Sequence, residues 1–97
     1  MTEQVFRISN DCCFEWFVNA RLMDAVVCSR PGEVEVVLIE TSASIWGAVT
    51  HEFESLESIS ASVAQEYAVN PDEINEEVQS ILESLCNLGL IESGEKH

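Results

Sequence analysis

The side chains that could hold a metal ion or act as nucleophiles are four cysteines and two histidines: Cys12, Cys13, Cys28, Cys86, His51 and His97. No Cys-x-x-Cys pair is present, and the adjacent Cys12 and Cys13 do not have a usual zinc-ligand spacing. Neither histidine belongs to a recognisable Ser/Cys-His-Asp arrangement. We therefore expect no metal, no cofactor and no enzyme activity. The cysteines are interpreted as structural, with a redox or inter-chain role for Cys12 and Cys13 as the alternative.

Acidic side chains far outnumber basic ones. The 97 residues include 18 Asp and Glu against 4 Lys and Arg, a net charge of −14, and no basic residue lies between positions 31 and 95. Such a surface repels a phosphate backbone and an anionic membrane, so we expect neither nucleic acid nor membrane as a partner. Acidic pairs such as Glu76 and Glu77 fall on solvent-facing helix positions, whereas general acid–base catalysis needs a desolvated carboxyl group.

The length and the apolar content set the broad class of the protein. At 46% hydrophobic residues the chain can form a core, and its length suits a single domain over residues 1–97. Residues 1–9 lack the basic and apolar regions of a signal peptide, and no apolar run reaches the roughly 20 residues of a membrane-spanning helix. A reduced, cytoplasmic protein is therefore expected.

Three β-like segments precede the helical part of the sequence. Phe14–Val18 is aromatic and β-branched, Ala25–Cys28 is short and apolar, and Val34–Ile39 is rich in Val, Ile and Leu. The intervening Arg30–Glu33 has proline second and glycine third, as a type II turn requires, which predicts a hairpin between the second and third segments. Val5–Ile8 is compatible with a further strand or with an arm.

After Glu40 the apolar spacing becomes helical. A first helix is predicted over Thr41–His51, capped by its Thr-Ser pair, and a second is predicted to start at Ser55. The third has the clearest signals, because Asn70–Glu73 combines a capping box with proline at the first helical position and Gly89 fits the stop. Its apolar stripe comprises Ile74, Val78, Ile81, Leu82, Leu85 and Leu88.

Together these elements predict an α+β fold in which a three-stranded antiparallel sheet is followed by three helices, as in a winged helix-turn-helix. Residues 93–97 are expected to form a frayed tail.

An ordered set of motifs runs through the segments Leu38–Trp46, Ser55–Ile59, Glu66–Val69 and Pro71–Ile91. Together they resemble the PqqD-like proteins over roughly Asp24 to Glu92. Each motif alone is an ordinary amphipathic pattern, but their order and spacing are specific. The chain differs from the family pattern at Ile39, where the motif has Asn, and at Thr50-His51, where Asp-Gly is common; residues 1–23 have no secure match.

The resemblance implies a small winged-helix domain that recognises precursor peptides of ribosomally synthesised, post-translationally modified peptide pathways. Such a domain binds the leader segment as an added strand beside its third strand, against the third helix, and presents it to a modifying enzyme such as a radical SAM enzyme or a leader protease. Two alternatives stay open. One is an acidic adaptor or regulatory subunit of a basic enzyme that binds no leader; the other is a winged-helix transcription regulator, which the acidic third helix disfavours.

The expected peptide-binding residues lie on the third strand and on one flank of the third helix. Main-chain hydrogen bonds contribute about 0.5–1.5 kcal/mol each, so a few of them fall short of micromolar affinity and an apolar groove must add to them. Leu82 and Cys86 extend the apolar surface of one flank, and the alternative is that both are ordinary core residues. Acids at Glu35, Glu76 and Glu83 would favour a basic leader or enzyme, or would only maintain solubility. The candidate residues are Val34, Glu35, Val36, Val37, Leu38, Ile39, Asn75, Gln79, Leu82 and Cys86.

Overall fold

The computed structural model of the protein describes residues 3–18 and 24–96, which form two three-stranded sheets and three helices. In chain order the elements are β1 (Glu3–Ile8), β2 (Cys13–Phe17), β3 (Ala25–Ser29), β4 (Val36–Ile39), α1 (Glu40–Ala48), β5 (Glu54–Ser55), α2 (Leu56–Tyr67), α3 (Pro71–Asn87) and β6 (Ile91–Lys96). One sheet has the strand order β2-β3-β4 and the other has the order β5-β1-β6, and all pairs are antiparallel. The α+β class predicted from the sequence is confirmed.

The predicted order of a sheet followed by three helices describes only part of the chain. β2, β3 and β4 precede α1, α2 and α3 as expected, but β1 comes before them and β6 follows them. The segment Val5–Ile8, for which a strand and an arm were both open, belongs to β1. The three helices together with the β5-β1-β6 sheet are compatible with a winged-helix arrangement.

The C-terminal segment is a strand, so the predicted frayed tail over residues 93–97 is wrong for Ser93 to Lys96. β6 pairs along the whole of β1, from Glu3 opposite Lys96 to Ile8 opposite Ile91; His97 lies outside the described residues. A salt bridge of 2.7 Å from Arg7 Nε to Glu92 Oε2 links the two strands. Terminal residues fray unless other parts of the structure hold them. The strand that holds this tail, β1, lies at the opposite end of the sequence.

The predicted hairpin is confirmed. The Glu33 N–H donates to the Arg30 carbonyl at 3.1 Å, and Gly32 has a φ of 78°, the conformation that the third position of a type II turn requires. The strand after this turn starts two residues later than predicted, at Val36, so Val34 and Glu35 lie in the connecting loop.

Helix capping follows the sequence for two of the three helices. The Ser55 side chain accepts from the Ser58 N–H at 3.0 Å at the start of α2. Asn70 and Glu73 form the predicted capping box of α3, and Gly89 ends that helix with a φ of 77°. The predicted Thr-Ser cap of α1 is wrong: α1 follows β4 directly, Ile39 is its N-cap residue without a side-chain hydrogen bond, and the helix ends at Ala48 rather than at His51.

The core lies between the three helices and the inner faces of both sheets. Its largest fully buried side chains are Trp46, Phe6, Ile45, Ile59 and Leu82. From β2, the Phe14 ring meets Trp46 edge-to-face with 5.4 Å between ring centroids, which closes the core on that side.

Candidate functional site

β4 is an edge strand whose outer side chains are apolar and exposed. Within the described residues it pairs only with β3. Val37 and Ile39 point to the open face of the sheet, with 60% and 50% exposure, whereas Leu38 points to the core. An edge of this kind offers unpaired backbone N–H and C=O groups to another extended segment.

The start of β4 is fixed beside the C-terminal end of α3 by Arg30. The guanidinium of Arg30, in the turn before β4, lies where a side chain at Gly89 would have to go. It is held there by a salt bridge of 3.2 Å from Nη2 to Asp11 Oδ2. The hairpin of β3 and β4 is therefore anchored to the C-terminal end of α3, and the edge of β4 begins near that end.

The end of β4 is set by Glu40, which has a φ of 55° although it is not a glycine. A left-handed conformation costs an L residue about 1–2 kcal/mol. This residue ends the extended segment and directs the chain into α1, so the free edge of β4 is short and sharply bounded.

The flank of α3 that the sequence analysis selected faces α2 and β6. Ser60 of α2 donates to Asn75 Oδ1 at 2.9 Å, and Ser93 of β6 lies next to the Cys86 thiol. Burial raises the pKa of that thiol. Leu82 has 0% exposure, so it is a core residue, which was the alternative interpretation. Gln79, half-buried, lies on the same flank as Asn75 by helical periodicity.

The opposite flank of α3 carries apolar side chains that the sequence analysis did not select. Ile81 is half-buried against the core and Leu88 is 49% exposed. α2 and β6 contact the other flank, whereas Leu88 is half-exposed and directly precedes Gly89, against which Arg30 of the β3–β4 turn packs. This flank therefore faces the β3–β4 hairpin at its C-terminal end. The signal was present in the sequence: Leu88 extends the apolar stripe beyond the part that the core needs.

The cysteines differ in their burial, and the described histidine, His51, packs on an aromatic ring. No group of three or more metal-binding side chains comes together in the described residues. Cys12 and Cys28 are buried; burial raises the pKa of both thiols, that of Cys28 to about 12. Cys13 is the exposed one, and His51 stacks on Phe14 with 6.3 Å between ring centroids. The structural interpretation of Cys12 and Cys28 agrees with this burial.

In the comparison with protein-family models, residues 27–91 match Coenzyme PQQ synthesis protein D (PqqD). The matched segment is about two thirds of the chain. The chain belongs to the PqqD family. The match begins in β3 and ends at the first residue of β6, so β1 and β2 lie outside it.

PqqD proteins are non-catalytic accessory proteins of peptide modification. Neither the curated proteins nor the solved structures give a significant match to the chain. Across residues 3–18 and 24–96, no helix is long and apolar enough to cross a membrane.

Proposed function

We propose that the protein binds the leader segment of a ribosomally synthesised precursor peptide by strand addition to β4 and presents it to a modifying enzyme, such as a radical SAM enzyme or a leader protease. Membership of the PqqD family supports the general role. The observation that carries the mode of binding is the edge of β4, which among residues 3–18 and 24–96 has β3 on one side and no strand on the other.

The free energy of leader binding comes from two sources, the hydrogen bonds to the β4 edge and contacts with an apolar groove. A strand of four residues makes only a few main-chain hydrogen bonds, each contributing about 0.5–1.5 kcal/mol, whereas micromolar binding needs about 8 kcal/mol. Alternate leader side chains therefore lie beside Val37 and Ile39 on the open face of the sheet, and the intervening ones contact the Ile81 and Leu88 flank of α3. Both sets are apolar, so the leader segment is apolar at successive positions.

The remaining candidate residues have different parts in this proposal. Val36 and Leu38 contribute their backbone to the strand edge, and Val34 and Glu35 extend it in the preceding loop. Asn75, Leu82 and Cys86 position α3 through their contacts with α2, the core and β6. Gln79 lies on the same flank and is not expected to contact the leader, so it is suited to a control substitution.

Amide chemical shifts test the proposal. Candidate leader peptides, taken from short open reading frames beside the gene of this protein, are titrated into the ¹⁵N-labelled chain. We expect shifts at Val36–Ile39, Ile81 and Leu88. A peptide N-methylated at alternate backbone nitrogens is the control, because it keeps the side chains but loses hydrogen bonds to the strand edge. Shifts confined to α2, or equal binding of the methylated peptide, would contradict strand addition.

The second candidate function is an acidic adaptor or regulatory subunit of a basic enzyme without leader binding. The net charge of −14 favours it. Capture of the modifying enzyme by a chain that binds no leader would identify this function. A transcription regulator is disfavoured, since α3 exposes acids such as Glu76 and Glu83 to solvent and these repel DNA phosphates.

A further inference from the structure

A groove with aromatic walls lies between β2, α1 and α2, at the end of the β2-β3-β4 sheet where β4 passes into α1. It encloses about 470 Å³. The Trp16 ring forms one side and packs over Gly47, where a Cβ would be in ordinary van der Waals contact with the ring at 3.7 Å. The Tyr67 ring forms the other side, where its hydroxyl hydrogen-bonds the Ser44 hydroxyl at 3.1 Å. The two rings are 39% and 45% exposed, so both border the groove without filling it.

Three carboxylates from separate elements line the same groove. Asp24 precedes β3, Glu40 starts α1, and Glu66 lies near the end of α2. None of the described residues that line the groove is basic. The salt bridges found in the described chain use Arg7 and Arg30 elsewhere.

We propose that this groove binds an arginine side chain presented by a basic protein partner. A guanidinium is planar and stacks on aromatic rings, and its donors pair with carboxylates in two-point contacts, so it matches the rings of Trp16 and Tyr67 together with the acids at the rim. A second copy of this chain is a poor occupant of the groove, because each copy has a net charge of −14 and two copies repel each other. Glu40 directly follows the last residue of β4, so the groove adjoins the proposed leader site. Its aromatic walls, Trp16 and Tyr67, are not part of that site, so the inference does not depend on strand addition to β4.

A short arginine peptide is the direct probe. Acetyl-Gly-Arg-Gly-amide is titrated into the ¹⁵N-labelled full chain at a salt concentration of about 0.15 M, which screens non-specific attraction to the acidic surface. We expect shifts at the Trp16 indole N–H and at the Ser44 and Gly47 amides. The same peptide with citrulline keeps the shape and loses the charge, and we expect it to give no shifts.

Matched charge variants separate the groove from the acidic surface as a whole. Glu40→Gln with Glu66→Gln removes two rim carboxylates from exposed positions, and we expect the arginine peptide to bind at least about tenfold more weakly. Glu76→Gln with Glu83→Gln removes the same charge from the exposed face of α3, and we expect affinity within about twofold of the unmodified chain. Equal losses in both variants would overturn the proposal. So would equal shifts with citrulline, no shifts with arginine, or a lysine peptide that binds as tightly as the arginine peptide.

Discussion

Ser60 donates a hydrogen bond of 2.9 Å to Asn75 Oδ1 across the interface of α2 and α3. Ser60 is 2% exposed, so this bond satisfies a hydroxyl that water does not reach. It fixes the flank of α3 that carries Asn75 against α2. The open side of α3 is therefore the opposite flank, with Ile81 and Leu88.

Asn75→Ala is expected to lower the free energy of unfolding by about 1–3 kcal/mol, because it leaves the buried Ser60 hydroxyl without its partner. Ser60→Ala removes the buried hydroxyl itself and is expected to cost less. Urea denaturation of both single variants and of the double variant measures the coupling. A leader that binds these variants as tightly as the unmodified chain supports a positioning role for Asn75, and a large loss of affinity without loss of stability would make Asn75 a peptide contact.

Leu88→Ser is expected to weaken leader binding about tenfold, since it removes a half-exposed apolar side chain worth about 1–1.5 kcal/mol on burial. Gln79→Ala, on the opposite flank, is the matched control and is expected to leave affinity unchanged. Isothermal titration calorimetry with the same leader measures both. If Gln79→Ala weakened leader binding and Leu88→Ser did not, the peptide would lie on the Gln79 flank instead.

Leader or enzyme binding is expected to weaken as salt rises, because the acidic surface steers a basic partner over long range. Raising the salt concentration from about 0.1 M to about 1 M shortens the Debye length from about 10 Å to about 3 Å, and we expect the association rate to fall several-fold while the dissociation rate changes little. Stopped-flow fluorescence separates the two rates. Binding that does not depend on salt would remove the steering role and leave the groove in place.

Ala68→Gly is expected to stabilise the protein by up to about 1 kcal/mol. Ala68 caps α2 with a φ of 55°, a left-handed conformation that glycine adopts without strain. Ala61→Gly, at an exposed interior position of the same helix, is expected to destabilise by about 1 kcal/mol. Thermal unfolding of the two variants compares them, and a loss of stability in both would show that Ala68 is not strained.

Stability is expected to fall as pH rises from about 9 toward 12. Burial raises the pKa of Cys28 to about 12 in the folded chain, from an ordinary value of 9.0. Between these two values the unfolded chain loses the thiol proton and the folded chain keeps it, so unfolding is favoured by up to about 1.4 kcal/mol per pH unit. Urea denaturation across this range measures how steeply the free energy of unfolding falls with pH. We expect the control variant Cys13→Ser to keep the slope of the unmodified chain and Cys28→Ala to have a shallower one. An unchanged slope in Cys28→Ala would contradict this assignment.

Local sequence signals predicted the parts of the fold that depend on local interactions. The turn at Gly32, the cap at Ser55 and the capping box at Asn70 each depend on residues within a few positions of one another, and all three form as expected. The pairing of β1 with β6 could not be predicted this way, because it joins the two ends of the chain.

The candidate site was predictable only in part, for a similar reason. The alternation of Val36 to Ile39 indicated a strand, but whether its edge is free depends on where the other strands pair. Helical periodicity identified two flanks of α3, yet the contacts of Asn75 with Ser60 and of Cys86 with Ser93 decide which flank is covered. The position of Leu82 could not be predicted from periodicity either, since an apolar residue at the border of a stripe can lie in the core or beside a groove.

Inter-strand nuclear Overhauser effects in the complex with a cognate leader test the proposed mode of binding most directly. We expect contacts between leader backbone protons and the backbone protons of Val37 and Ile39, in the alternating pattern of a β-ladder, with leader side chains close to the methyl groups of Ile81 and Leu88. A leader that binds without such a ladder, or that pairs with the edge of β2 instead, would contradict strand addition to β4.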